Sequence, residues 1–178
     1  MGRNIVLIGM MGAGKTAVGT ELGRRLGRQF VDSDAEIEAA AAMSVSEIFA
    51  RDGEAFFRDR ETEVLDRLLA AGPRIVATGG GAWIQPRNRH LIHRSGAALW
   101  LNCDLETLWR RVKARTTRPL LQTPDPRGTL ERLLAERMPV YATADIVVDV
   151  AREDTIAATA DRVTAAIKST RPDLLEPA

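Results

Sequence analysis

The stretch "IGMMGAGKT", Ile8 to Thr16, decides the fold. A glycine-dense turn is costly to order, because glycine loses more backbone freedom than any other residue. Here Gly9, Gly12 and Gly14 follow a short apolar run, Ile5-Val6-Leu7-Ile8, and the stretch closes on Lys15-Thr16. The pattern fits G-x-x-x-x-G-K-[ST], in which a strand enters a phosphate-cradling turn and the turn opens a helix. Successive N–H groups then converge on one point at a helix N-terminus, which makes an anion site. Gly12, Ala13, Gly14, Lys15, Thr16 and Ala17 are expected to hold the phosphates of a polyphosphate ligand. Lys15 reaches the β- and γ-phosphates, and the Thr16 hydroxyl serves Mg²⁺. Ala17 departs from the many such loops that carry a second hydroxyl there.

Outward from this turn, short apolar strands alternate with helical periods. Strands are expected at 4–8, 30–31, 74–77, 97–101 and 145–150. Helices are expected from 15 to 26 and at 34–43, 45–51 (capped by Ser44), 54–70, 86–94, 105–114, 129–141 and 154–167. The last is expected to bury Ile156, Ala160, Val163 and Ile167. Such alternation predicts an α/β, three-layer fold around the P-loop: a five-stranded parallel sheet with helices on both faces. Right-handed crossovers bring the strand C-termini to one edge, where ligands of open α/β sheets bind. Gly9, Asp32, Gly79 and Asp149 fall at or just after strands. Residues 115–127 hold three prolines and no period, and read as a mobile lid. One domain is expected over 1–168, with substrate-binding helices within 34–61 and a flexible tail at 169–178.

Composition removes several classes. The chain of 178 residues is 45% hydrophobic, enough to bury a core without disulfides. It carries 25 basic and 24 acidic side chains, a net charge of +1, so no nucleic-acid partner is expected. Cys103 is alone, which excludes a disulfide framework and a cysteine zinc site. His90 and His93 read as one exposed turn with no metal role. No apolar run is long enough to span a membrane, and the N-terminus lacks a signal-peptide pattern. Val6 stands where myristoylation wants Ser or Thr. A cytoplasmic protein is expected, with no membrane partner.

The remaining clues concern the phosphoryl acceptor. In "FVDSD", Asp32 and Asp34 follow a strand two residues apart and face the same way. One can serve the metal shell and the other accept a hydroxyl proton; both can equally be helix caps. In "GEAFFRDRE", Glu61 lies three residues after Arg58 on one helix face. It can fix Arg58 for a carboxylate, or the two can form an ordinary surface ion pair. "ATGGGA" puts Gly79, Gly80 and Gly81 at a strand end, where bare backbone admits a ligand ring, or simply makes a flexible turn. "RTTRPLL" and "ERMPVY" add Arg118 in the lid and Arg137 on the helix after it; each alone reads as a solvated charge, and beside a P-loop they read as ligands for phosphate and for an acid.

Taken in order and spacing, GMMGAGKT, VDSDAEIE, GEAFFRDRE, ATGGGA, RTTRPLL and ERMPVYATAD resemble the shikimate kinase family, over about residues 4–167. The resemblance implies ATP-dependent phosphorylation of the 3-hydroxyl of shikimate, a step of aromatic amino-acid synthesis, by a monomeric cytoplasmic enzyme. It implies Mg²⁺ at Thr16 with Asp32 on its water shell, and Asp34 at the reacting hydroxyl as proton acceptor. It further implies Arg58, Gly80 and Arg137 around shikimate, Arg118 on the ATP phosphates, and Arg110 and Arg152 on the adenine side. A kinase for another polyol acid, such as gluconate, would not need the Arg58/Arg137 pair. A GTPase-type switch would want N-K-x-D, which is absent.

Overall fold

β1 (Asn4–Ile8) is buried at every position because it is the middle strand of the sheet. In the computed structural model, which describes residues 3–113 and 119–176, β2 (Phe30–Asp32), β3 (Ile75–Ala77), β4 (Gly96–Cys103) and β5 (Ile146–Val150) complete it in the order β2-β3-β1-β4-β5. Every pairing is parallel. Leu7 lies between Ala77 and Leu99, so the apolar run predicted as a strand packs laterally against two others. The order reverses direction at β1, and the turn after β1 therefore opens into the crevice where such sheets take ligands.

The helices are α1 (Lys15–Leu26), α2 (Ser33–Ala41), α3 (Val45–Ala70), α4 (Pro86–Ser95), α5 (Leu105–Val112), α6 (Pro126–Tyr141) and α7 (Ile156–Thr170). α1 and α7 pack together against one part of the sheet, while α3 and α4 pack together, with α4 against β1 and β4. α3 runs through the two helices expected at 45–51 and 54–70, but Gly53 within it has φ 84°, ψ 170°, a break that only glycine takes easily. Ser44 caps the first piece in a reciprocal box with Glu47.

Three expectations need correction. Ile156 is 51% exposed, because it is the first residue of α7 and faces the cleft rather than the core. α6 begins at Pro126, not at 129; Asp125 caps it by accepting from Gly128 N–H at 3.0 Å. Finally, where a frayed tail is expected, a 3₁₀ turn over Pro172–Leu175 buries Leu174 completely. Arg28 fastens this segment, donating to the carbonyls of Arg3 and Glu176. These contacts lie before β1, at the sheet edge opposite the P-loop.

Candidate active site

The turn after β1 is shaped by Gly9, Gly12 and Gly14, all at positive φ (139°, 85° and 95°). Gly14 caps α1 without a side-chain bond, which leaves the first N–H groups of that helix directed at the crevice. Lys15 Nζ crosses the loop and donates to the carbonyls of Gly9 and Met10 at 2.8 and 2.9 Å. Thr16 Oγ1 donates to Asp32 Oδ2 at 2.9 Å, while Asp32 Oδ1 caps α2 through the N–H groups of Asp34 and Ala35. A single carboxylate thus ties the P-loop to the helix that carries Asp34. The cleft over this turn measures about 660 Å³ and is lined by residues 11–18 with Asp32, Asp34, Gly79 and Gly80.

Thr16 and Asp32 fit Mg²⁺. Both are hard oxygen donors, and with its proton on Asp32 the Thr16 hydroxyl keeps lone pairs for a cation. No cluster of three or more acidic, His or Cys side chains suited to a metal exists among the described residues. That agrees with an ion completed by phosphate oxygens and water rather than by a protein cage.

A smaller cavity of about 70 Å³ adjoins the cleft. Met11, Asp34, Gly79 and Gly80 line both spaces. Its charged groups are Asp34, Arg58, Glu61 and Arg137. Arg58 Nη1 meets Glu61 Oε1 and Oε2 at 3.2 and 3.1 Å, and Nη2 meets Glu54 Oε1 at 3.2 Å. Glu61 is 1% exposed, and burial pushes its carboxyl up to about 7 against the pull of Arg58, with Asp34 adding to the rise. Arg137 is 8% exposed, and among the described residues no carboxylate forms an ion pair with it; its Nη1 lies 3.9 Å from Met10 Sδ. A buried cation without a carboxylate of its own is a place for an anionic ligand.

The glycines of 79–81 line the smaller cavity, and they meet a further need that the sequence did not suggest. None has positive φ. Each instead leaves room for one charged side chain. A Cβ on Gly79 would lie 2.8 Å from Asp34 Oδ1, one on Gly80 2.8 Å from Arg137 Nη1, and one on Gly81 2.6 Å from Arg58 Cζ. Tyr141, fully buried one turn beyond Arg137 on α6, donates to the Gly80 carbonyl and fixes this loop from behind. Burial pushes its phenol up to about 12, so it is a donor throughout the working range.

Lys15, Thr16, Ala17, Asp32, Asp34, Arg58, Gly79–Gly81 and Arg137 therefore converge on the two adjoining spaces. Arg118 lies outside the described residues. Arg110 and Arg152 do not line the cleft: Arg110 is exposed on the outer side of α5, and Arg152 is exposed beside Glu153. Arg111 takes the place expected for Arg110, bonding Gly12 O at 3.1 Å and facing the cleft. The signal was present in the sequence, since Arg111 follows buried Leu108 by three residues and shares its face. Asp154 and Thr159 complete that end of the cleft and carried no sequence signal of their own. From the expected lid, Leu120 in the 3₁₀ turn Pro119–Leu121 reaches the smaller cavity.

A family model described as "Shikimate kinase" matches residues 11–168. A shikimate kinase of Ruegeria pomeroyi is 54% identical over 174 residues, covering 98% of this chain and 89% of that relative. Among solved structures, a shikimate kinase from Acinetobacter baumannii in complex with shikimate superposes with a TM-score of 0.90 at 38% identity, covering 96% of each chain. A gluconokinase from Sinorhizobium meliloti 1021 superposes at 0.64 with 18% identity over 97% of this chain and 95% of that one, a likeness of fold alone.

Proposed function

The chain belongs to the shikimate kinase family, and from that premise we propose how its residues divide the work. The reaction is ATP-dependent phosphorylation of the 3-hydroxyl of shikimate, giving shikimate 3-phosphate and ADP. Thr16, with Asp32 behind it, would hold Mg²⁺, which when bound would supply charge neutralisation on the phosphates. The loop N–H groups and Lys15 bind the phosphates; Arg111 binds at the nucleotide end. Arg118 is assigned to the phosphates on the family pattern. Arg58 and Arg137 hold the substrate carboxylate, which offsets the buried charge of Arg137 most directly. Asp34 orients the 3-hydroxyl and takes its proton as the oxygen attacks the γ-phosphorus and the bond to the departing ADP oxygen breaks.

One observation carries this reading: the nucleotide cleft and the small cavity that holds the two arginines share the wall of Asp34, Gly79 and Gly80, so donor and acceptor meet without an intermediate carrier. The test is ADP release in a coupled assay. Shikimate should support turnover and gluconate should not; equal turnover of the two would remove the role given to the arginine pair. The enzyme acts as a cytoplasmic monomer on small molecules, without nucleic-acid or membrane partners. A near-neutral net charge supports the absence of a nucleic-acid partner, and no helix among the described residues is long and apolar enough to cross a membrane. Sedimentation at micromolar concentration should give one species of the chain's own mass.

A further inference from the structure

Met10 is buried next to Met11, which lines both spaces, and it touches one cation from each, Lys15 and Arg137. Its carbonyl accepts from Lys15 Nζ at 2.9 Å. Its sulfur lies 3.9 Å from Arg137 Nη1 and 3.7 Å from Tyr141 Oη, and the side chain is buried. Tyr141 has one proton, and the carbonyl of Gly80 is the stronger acceptor for it. The sulfur therefore has Arg137 as its main donor.

We infer that Met10 is a positioning residue for the acid substrate, its sulfur holding Nη1 of Arg137 in place while leaving the charge of the guanidinium intact. The inference rests on the reading of Arg137 as a carboxylate-binding group. The physical case lies in what other residue types would do at this position. A hydrocarbon would leave the guanidinium to the Tyr141 hydroxyl alone on this side, and it would spend part of its time elsewhere. A carboxylate would cancel the charge that the substrate must meet. A thioether is uncharged, polarisable and a weak acceptor, so it sets direction at little electrostatic cost. With Nη1 turned to sulfur and packed over Gly80, Nε and Nη2 remain for a bidentate carboxylate.

The variant Met10→Leu conserves volume and removes the acceptor. Shikimate and its uncharged methyl ester serve as probes, with ATP as internal control. Met10→Leu should weaken shikimate about threefold to thirtyfold, leave the ester unchanged, and leave the KM for ATP within about twofold. Met10→Gln, whose amide oxygen can accept from Nη1, should restore most of the affinity. In an Arg137→Ala background the leucine effect should vanish. Unchanged or tighter shikimate binding in Met10→Leu would overturn the inference, as would an equal loss for shikimate and ester, which marks a packing defect. If Arg137→Ala alone leaves shikimate affinity intact, the reading of the acid site fails. If Arg137→Ala weakens it and Met10→Leu does not, only the role of Met10 falls.

Discussion

Opposite each glycine of 79–81 sits one charged side chain, and that pairing makes the positions separable by experiment. Gly81→Ala should displace Arg58 and raise the KM for shikimate by about tenfold or more, with kcat less affected. Gly79→Ala should displace Asp34 and lower kcat by about 10². Identical kinetic defects in the two variants would contradict the pairing. Glu61 supports a prediction about pH. Its carboxyl is raised in the folded chain to about 7, from about 4.5. The stabilisation from its neutral form is therefore complete below about pH 4.5 and is lost as pH rises through about 7. Urea midpoints should fall between about pH 5 and pH 8, and Glu61→Gln should flatten that slope; parallel profiles would mean that Glu61 is ionised in the native state at neutral pH. At this scale the P-loop was legible because all its parts are contiguous. The function of the three glycines was not, since their partners Asp34, Arg58 and Arg137 arrive from three other helices. Arg111 was missed by one position, an error of helix face rather than of residue type.

Elements carry these side chains to their places. α2 is capped by the same carboxylate that receives Thr16, so the helix bearing Asp34 and the phosphate loop share one anchor. α3 must both cover the small cavity with Val45 and Phe49 and present Arg58 and Glu61 to it, and a straight helix cannot do both. The break at Gly53 divides these tasks. Gly53→Ala forces a β-carbon onto φ 84°, ψ 170° and should cost about 1–3 kcal/mol in denaturant unfolding. It should also weaken shikimate more than ATP; a neutral result would mean that the break carries no strain. The sequence allowed two helices here because glycine interrupts the period, and their merger around one distorted residue is a matter of local geometry. The start of α6 was misjudged for a related reason. Pro126 looks like a loop residue, yet proline suits the first turn of a helix.

Across the whole molecule the sheet has two unlike ends. At the ends of β1, β2 and β3 lie the glycine turns and the charged side chains. At the other edge Asn4 bonds the carbonyl of Leu69 and receives the N–H of Arg74, while Arg28 draws in the segment that buries Leu174. Leu174→Ala should therefore lower stability by about 2–4 kcal/mol while leaving both KM values unchanged. A change in ligand affinity would show that the two ends are not independent. The parallel sheet and the crevice at its strand ends followed from alternation and crossover handedness, whereas the strand order came only from the structure. The packing of the tail did not follow either, because one leucine among prolines and charges gives no period.

The anchoring of residues 172–176 at the edge remote from the cleft also bears on handling. Cys103 is the single cysteine, is buried, and has its thiol pushed by that burial up to about 11. A Glu176→Cys substitution would therefore create a selectively reactive group on the back of the molecule. A chain coupled to a bead or sensor chip through it would be oriented with its mouth toward the bulk liquid, free to load nucleotide and acid.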